Sequence, residues 1–201
     1  MMDLRISLLL AAVIGYLLGS LSTGIIYSRA IGRDIRTQGS KNAGATNMAR
    51  VHGLRPGVIT FLGDCLKGVL AAWIGKLLCG QTGAIVGGTM AVIGHTWPIY
   101  FGLRGGKGIA TCIGIGLVTF PPFGLIATIT GAAVVFLCRY VSLGSMTGMI
   151  VFAAGMTVYY GFWPLGLWAI LLALLTIWRH RENIGRLLRG TERKFGQKEN
   201  G

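Results

Sequence analysis

Long apolar runs recur along almost the whole of this 201-residue chain. A stretch of about 20 apolar residues can cross the hydrocarbon core of a lipid bilayer as one α-helix. Seven runs near this length are present, at residues 6–28, 58–79, 83–101, 108–120, 123–138, 144–160 and 163–178. Several have only 13 to 17 residues, which predicts short helices whose ends lie below the level of the lipid headgroups.

The balance of residue types supports a membrane protein. Apolar residues make up 53% of the chain and charged residues only 12%, whereas a soluble domain usually has about 25% charged residues. No long polar stretch is left over for a separate soluble domain. The sequence therefore predicts an all-α integral membrane protein, with one domain over residues 1–201 that forms a bundle of seven short transmembrane helices.

The positive charges predict how these helices are oriented. The formal net charge is +13, and sixteen of the 19 Lys and Arg residues lie at residues 29–55, 102–107, 139 and 179–201. With seven spans, all four segments lie on the same side of the membrane. Because Lys and Arg are enriched in cytoplasmic loops, we expect the N-terminus outside and the C-terminus in the cytoplasm. Membrane topology thus explains the charge, and no nucleic-acid partner is predicted.

The first cytoplasmic segment contains a polar sequence, GSKNAGATNMAR, at residues 39–50. Glycines permit positive φ and let backbone N–H groups converge on an anion, while Ser, Thr and Asn add neutral donors and Arg adds a forked cation. This pattern favours a phosphate-binding loop over an ordinary solvated loop whose Asn and Gly residues only make turns. The candidate substrate-binding residues are Ser40, Asn42, Thr46, Asn47 and Arg50.

A second glycine-rich sequence, GGKGIATC, begins at Gly105 and leads into the fourth apolar run. Two glycines and Lys107 at a helix N-terminus favour an anion, because the helix dipole adds to the charge of the lysine. The sequence is not a nucleotide-binding P-loop, since Lys107 is followed by Gly108 and not by the Ser or Thr that holds Mg²⁺. The candidate binding residues here are Arg104, Gly105, Gly106 and Lys107.

His95 is the most distinctive ionisable residue of the apolar runs, about five residues before the predicted cytoplasmic end of the third helix. Ionisable side chains within a membrane are costly and are functional candidates. The alternative is a neutral histidine that is hydrogen-bonded within the bundle. His52 and His180 lie among basic residues, which favours solvated or headgroup-facing side chains. Neither the histidines nor the four cysteines have metal-ligand spacing, so no metal or cofactor is predicted.

Three further polar groups lie in or near the apolar runs. Asp64 and Lys67 are three residues apart on one helix face, which predicts a structural ion pair. Ser142 and Ser145 either donate to a phosphate or cap the sixth helix. The sequence HRENIGRLLRGTE follows the last run and predicts an amphipathic surface segment, in which Glu182 and Asn183 are candidate site residues.

Taken in order, GSKNAGATNMAR, GHTWPIYFGLRGGKGIAT, RYVSLGS and HRENIGRLLRGTE resemble the bacterial membrane acyl-phosphate:glycerol-3-phosphate acyltransferase family, PlsY. The likeness covers nearly the whole chain. It departs at Lys41, where Gly is expected, and at Ser22, where Pro is expected. Because Lys tolerates positive φ poorly, the exact turn of the loop at Lys41 does not follow from the resemblance.

The resemblance implies acyl transfer from acyl phosphate to the sn-1 hydroxyl of glycerol 3-phosphate, at the cytoplasmic face of the inner membrane. The products are lysophosphatidate and inorganic phosphate, in the first step of phospholipid synthesis. It also implies a functional link to the enzyme that makes acyl phosphate. The sequence lacks a G-x-S-x-G elbow, so a covalent acyl-enzyme is not expected, and the activated anhydride makes a metal ion unnecessary.

Two mechanisms and one rival function are compatible with these residues. His95 is the general base toward the attacking hydroxyl, or His95 and Asn183 orient the glycerol hydroxyls while a substrate phosphate oxygen accepts the proton. An anion transporter would also use basic glycine-rich loops. Transporters usually bind near the bilayer midplane between repeated halves, however, and this sequence has no repeat.

Overall fold

The computed structural model describes residues 3–197, and all regular secondary structure in that range is helical. The α-helices are α1 (Leu4–Ser20), α2 (Thr23–Ala30), α3 (Ala45–His52), α4 (Leu54–Thr96), α5 (Ile109–Thr119), α6 (Pro121–Cys138), α7 (Val141–Tyr160), α8 (Leu167–Arg179) and α9 (Arg181–Leu188). Short 3-10 turns lie at Ile35–Thr37 and Ile99–Phe101, and a π turn at Phe162–Gly166. The predicted all-α architecture is confirmed.

The chain divides into two compact units, Met1–Phe120 and Pro121–Gly201. The first unit contains α1 to α5 and the second contains α6 to α9. The single domain over residues 1–201 stays a prediction.

Helix α4 is a hairpin of two arms. Cys79 and Gly80 have non-helical backbone angles, and Gly80 adopts a φ of 59° that a side chain would strain. A Cβ on Gly75 would collide with the carbonyl oxygen of Gly83, and a Cβ on Gly83 would collide with that of Gly75. The two arms therefore run back along each other, which agrees with the separate apolar runs at residues 58–79 and 83–101.

Small residues let the helices of the first unit pack at backbone distance. A Cβ on Gly15 of α1 would overlap the backbone of Gly87, and one on Gly114 of α5 would overlap the carbonyl of Cys65. Close packing of this kind holds membrane helices together where lipid supplies no hydrophobic driving force. The glycines of the apolar runs thus act as helix contacts.

The second arm of α4 ends at Thr96, five residues before the predicted end at Phe101. Pro98 has no backbone N–H and disfavours helical angles in the residue before it. Trp97 accordingly has φ −127° and ψ 72°. The predicted position of His95, about five residues before the end of its helix, is therefore wrong, because this residue lies in the last turn.

A small hydrophobic cluster fixes the segment that joins α2 to α3. Ile25, Ile35, Ala43 and Met48 are fully buried and contact one another, and Phe101 packs against them. The polar residues of this segment are therefore attached to a rigid base.

The second unit is built on the same small-residue contacts. A Cβ on Gly131 of α6 would touch the carbonyl of Gly144 of α7, and one on Gly148 would touch that of Ala127. On the other side of α7, Phe152 stacks edge-to-face on Trp168 of α8. Helix α7 is thus the central helix of this unit.

Among residues 3–197, five helical segments are long and apolar enough to cross a membrane. They are Leu4–Ala30, Leu54–Phe101, Pro121–Cys138, Val141–Tyr160 and Phe162–Arg179. The segment Leu54–Phe101 includes both arms of α4, and Ile109–Thr119 is apolar but shorter. The exact count of seven spans and the orientation of the termini stay predictions.

Candidate active site

Asn47 organises the first polar motif, residues 38–50, which we call the substrate loop. The side-chain Nδ2 of Asn47 donates to the carbonyl of Gln38 at 3.0 Å and to that of Asn42 at 2.9 Å. Its Oδ1 accepts a 2.8 Å hydrogen bond from the backbone N–H of Ser40. The Asn47 residue is only 1% exposed. Asn47 therefore contributes to the predicted site by shaping the loop around Ser40 and Asn42.

Two residues of the substrate loop have positive φ. Gly39 has a φ of 55° and Lys41 a φ of 57°. The N–H of Lys41 donates to the carbonyl of Gln38 at 2.9 Å, which closes the turn. A non-glycine residue therefore stands in the left-handed region at the one loop position where Gly was expected.

The remaining predicted residues of the substrate loop lie around the start and along the length of α3. The side chain of Asn42 accepts a 2.9 Å hydrogen bond from the N–H of Gly44, the residue before the first helical one. Thr46 lies in the first turn of α3 and Arg50 near its end, and both are half-buried. The loop thus places neutral donors and one guanidinium on a single short helix and its leading turn.

The second glycine-rich motif, residues 104–108, which we call the glycine turn, is fastened to the end of α4. The N–H of Gly105 donates to the carbonyl of Thr96 at 3.2 Å, and the N–H of Gly106 donates to the carbonyl of His95 at 3.0 Å. A Cβ on Gly106 would overlap the imidazole ring of His95, and one on Gly105 would overlap the carbonyl of the same residue. Both glycines are therefore required by the close approach of His95.

The glycine turn leads directly into the N-terminus of α5. Gly108 is the N-cap residue and has a φ of 86°, and the helix continues for 11 residues from Ile109. Lys107 is half-buried just before this cap, while Arg104 is exposed. Lys107 therefore lies beside a helix N-terminus, which is the arrangement that the sequence predicts for anion binding.

A buried charged cluster, Asp64, Lys67 and His95, which we call the buried triad, joins the two arms of α4. Lys67 Nζ lies 2.8 Å from Asp64 Oδ1, and His95 Nδ1 lies 3.6 Å from the same oxygen. The side chains of Asp64, Lys67 and His95 are 2%, 6% and 4% exposed. The predicted ion pair is confirmed, and the structure adds His95 to it.

The second unit contains a separate polar cluster centred on the carboxylate of Glu192. Its Oε1 accepts from Ser142 at 2.7 Å and from Asn183 at 2.6 Å, and its Oε2 accepts from Arg186 at 2.7 Å. Burial raises the pKa of Glu192, but the hydrogen bonds from Asn183, Arg186 and Ser142 outweigh burial, so its pKa lies below the ordinary value. This carboxylate is charged at neutral pH and holds α7 and α9 together.

Comparison with known proteins places the chain in a family. A sequence profile for glycerol-3-phosphate acyltransferase matches residues 9–190. The glycerol-3-phosphate acyltransferase of Thermoanaerobacter pseudethanolicus is 46% identical over 192 residues, which cover 94% of this chain and 96% of that protein. The chain belongs to the glycerol-3-phosphate acyltransferase (PlsY) family. The enzyme of the same name from Clostridioides difficile is 44% identical and is covered over 97% of its length.

The fold agrees with two solved structures of PlsY (YgiH), an integral membrane glycerol 3-phosphate acyltransferase. The glycerol 3-phosphate form has a TM-score of 0.87 to this chain and the lysophosphatidic acid form a TM-score of 0.83. Each is 37% identical to this chain and covers 94% of it. The predicted family and the integral membrane fold are confirmed.

The two predicted site residues of α9 differ in burial and in their hydrogen-bond partners. Asn183 is buried and bound to Glu192, whereas the side chain of Glu182 is 70% exposed and lies 4.0 Å from Arg186. Ser145 is half-buried on α7, one turn after Ser142. Sequence analysis did not select Glu192, although this residue ends the quoted motif HRENIGRLLRGTE.

His180 is a further candidate that the sequence analysis did not select. The interpretation of His180 as a solvated or headgroup-facing residue is wrong, because it is only 4% exposed. Its Nδ1 lies 2.8 Å from the carbonyl of Thr176, so Nδ1 carries a proton in this hydrogen bond. A signal in the sequence was its position one turn after Thr176, just beyond the predicted seventh run.

Within residues 3–197, no group of three or more His, Cys, Asp or Glu side chains is arranged to hold a metal ion. The independence of the reaction from metal ions stays a prediction.

Proposed function

We propose that this protein transfers a fatty acyl group from acyl phosphate to the sn-1 hydroxyl of glycerol 3-phosphate. The products are lysophosphatidate and inorganic phosphate. Membership of the glycerol-3-phosphate acyltransferase family supports the acceptor. The observation that carries the proposal is the glycine turn, which presents Lys107 and the N-terminus of α5 as a site for a phosphate group.

The proposed reaction is a single displacement at the acyl carbon. The sn-1 oxygen of glycerol 3-phosphate attacks the carbonyl carbon, and the bond between that carbon and the bridging phosphate oxygen breaks. The leaving phosphate takes the bonding electrons. Because a mixed anhydride is already activated, fixed cations and N–H groups are sufficient to stabilise the charge that develops on the phosphate. Neither a metal ion nor a covalent acyl-enzyme is part of this proposal.

The two phosphate-bearing substrates are assigned to different parts of the first unit. The phosphate of acyl phosphate lies at the glycine turn, close to Gly105, Gly106 and Lys107. The phosphate of glycerol 3-phosphate lies at the substrate loop, where Ser40 and Arg50 are half-buried and Asn47 holds the backbone in place. Separate sites of this kind fix the hydroxyl and the acyl carbon for attack.

The packing of His95 supports one of the two routes for the proton. Its Nδ1 faces Asp64 and the opposite edge of its ring fills the space beside Gly106. A ring held on both edges supports the route in which a substrate phosphate oxygen accepts the proton of the hydroxyl. In this route the proposed role of Asn183 is to orient the glycerol hydroxyls and that of Ser145 is to donate to a substrate phosphate. The hydroxyl hydrogen of Ser142 is donated to Glu192, so Ser142 is assigned to that carboxylate and not to the phosphate.

The membrane arrangement completes the proposal. The proposed topology has seven short spans, an external N-terminus and a cytoplasmic C-terminus. In this topology the substrate loop and the glycine turn lie at the cytoplasmic face of the bacterial inner membrane, and the acyl chain is supplied from the lipid leaflet. The enzyme that makes acyl phosphate is the expected functional partner.

An assay with purified protein in detergent tests this function. Palmitoyl phosphate is supplied with and without glycerol 3-phosphate, in the presence of a metal chelator, while released phosphate and lysophosphatidate are measured. We expect phosphate release only with glycerol 3-phosphate, in a one-to-one ratio with lysophosphatidate. A folded protein that forms neither product would contradict the proposal.

A pair of arginine variants tests the site of glycerol 3-phosphate. Arg50→Lys keeps the charge but loses the forked donors, so we expect the KM for glycerol 3-phosphate to rise about tenfold or more. Arg55→Lys is the matched control, because Arg55 is exposed in the first turn of α4. Equal KM values for both variants and the wild type would remove Arg50 from the site.

A further inference from the structure

Two members of the buried triad have no role in the proposed reaction. Asp64 and Lys67 lie on the first arm of α4, within a segment long and apolar enough to cross a membrane. Ionisable residues in such segments are costly and usually serve function. Stability of the fold alone does not explain why Asp64 and Lys67 are present, because apolar residues of similar size in place of a buried ion pair are often at least as stabilising.

The buried triad is connected to the glycine turn through the ring of His95. Nδ1 of the imidazole faces Oδ1 of Asp64 at 3.6 Å. Its Nε2, Cε1 and Cδ2 atoms occupy the space that a side chain on Gly106 would need. The backbone N–H of Gly106 is in turn bound to the carbonyl of His95. A rotation of the imidazole would therefore displace Gly106.

At its other end, the buried triad is fixed to the break between α1 and α2. Lys67 Nζ donates to the carbonyl of Leu21 at 3.0 Å, and the hydroxyl of Thr23 donates to Asp64 Oδ1 at 3.2 Å. Leu21 terminates α1 and Thr23 begins α2. Asp64 is thus held from two sides before it meets His95.

We infer that Asp64 and Lys67 are positioning residues, which set the place of the glycine turn by fixing the orientation of the His95 ring. Asp64 faces Nδ1, and Lys67 holds Asp64 in place through a 2.8 Å ion pair. This inference rests on the proposed function, because it assigns these residues to the binding of the acyl phosphate at the glycine turn. Asp64 and Lys67 are not assigned to the substrate loop, which is proposed to bind glycerol 3-phosphate.

Two double variants separate positioning from charge compensation. A change of Asp64 alone leaves Lys67 as an unpaired buried charge, so Lys67→Met is combined with either Asp64→Asn or Asp64→Leu. Both double variants are neutral at these two positions and similar in volume, but only Asn keeps a side-chain oxygen opposite Nδ1 of the His95 ring. Measurements of kcat and of the KM for palmitoyl phosphate and glycerol 3-phosphate, with thermal unfolding as the folding control, complete the comparison.

We expect the Leu double variant to raise the KM for palmitoyl phosphate about tenfold relative to the Asn double variant, with kcat and the KM for glycerol 3-phosphate changed less than about threefold. Equal kinetics in the two variants would show that Asp64 only compensates Lys67, and would overturn the inference. A loss confined to kcat would overturn it as well, because that result places the effect in the chemical step.

A measurement on the unmodified protein covers the case in which the Leu variant does not fold. Protein labelled with ¹⁵N-histidine gives nitrogen resonances for His95, which are assigned by their loss in His95→Gln. We expect Nδ1 to carry a proton, since it faces the Asp64 carboxylate, and a proton-free Nδ1 would overturn the inference. Wild-type turnover of palmitoyl phosphate is measured separately, so failure of the proposed function is recognised independently of the ring orientation.

Discussion

Asn183 donates a 2.6 Å hydrogen bond to Oε1 of Glu192, nine residues further along the chain. The carboxylate also binds Ser142 and Arg186, so one side chain after α9 fixes residues on both α7 and α9. Two of the predicted site residues, Ser142 and Asn183, therefore depend on Glu192 for their orientation.

Replacement of Glu192 by Gln should destabilise the second unit and lower activity. The amide has one acceptor oxygen where the carboxylate has two, and its NH₂ group would face a donor. Hydrogen bonds to a charged group are worth about 1.5–3 kcal/mol each, so we expect a loss of about 2 kcal/mol in stability. Thermal unfolding in detergent and the assay with palmitoyl phosphate measure the two effects.

Glu182→Gln is the informative comparison for this variant. Glu182 was the predicted site residue, but its side chain is largely exposed and lies 4.0 Å from Arg186. An exposed pair of this kind contributes about 0–1 kcal/mol. A larger loss of stability in Glu182→Gln than in Glu192→Gln would contradict the role assigned to Glu192.

The ion pair between Asp34 and Arg36 predicts a pH-dependent contribution to stability. Hydrogen bonds from the Arg36 guanidinium lower the pKa of Asp34 from 3.8 to about 2. A carboxyl group whose pKa is lower in the folded protein stabilises the fold fully above its unfolded pKa, and this contribution is lost as the pH falls through the folded pKa. We expect Asp34→Asn to lower the unfolding temperature at pH 6, and the difference from wild type to shrink between pH 4 and about pH 2. A difference that stays constant over this range would contradict the lowered pKa.

The sequence was sufficient to predict the class of fold and the segments that carry the site. The length of an apolar run depends only on the local sequence, so it predicted the helical segments. The glycine turn was predicted for the same reason, since glycines and Lys107 precede an apolar run. The end of α4 was missed because Pro98 terminates the helix while the sequence remains apolar up to Phe101.

The contacts that the sequence did not reveal join residues that are brought together by the path of the chain. Asp64 and His95 are 31 residues apart and meet only because α4 folds back at Gly80. Glu192 meets Ser142 across 50 residues. Asn47 was selected as a donor to substrate, but its polar atoms bind the loop itself, which depends on the three-dimensional path of that loop.

Lys41 predicts a stabilising substitution. Its φ of 57° places a side chain in the left-handed region, at a cost of about 1–2 kcal/mol, part of which is offset by the greater unfolded-state entropy of Gly. We expect Lys41→Gly to raise stability by about 0.5–1 kcal/mol, while Lys41→Ala, which keeps a Cβ, changes it by less than about 0.5 kcal/mol. Equal unfolding temperatures for the Gly and Ala variants would show that the backbone is not strained at this position.

Gly106→Ala should disrupt the phosphate site without unfolding the protein. Its Cβ would overlap the His95 imidazole, which is held by Asp64 and cannot move away freely. The glycine turn must therefore shift, and we expect kcat/KM for palmitoyl phosphate to fall about a hundredfold, since small displacements at a reacting centre have effects of this size. Gly185→Ala is the control, because a Cβ there meets only the flexible end of Arg189 at 3.4 Å and the change favours the helix α9. Retention of wild-type kcat/KM in Gly106→Ala, with normal activity in Gly185→Ala, would show that the turn does not depend on its contact with His95.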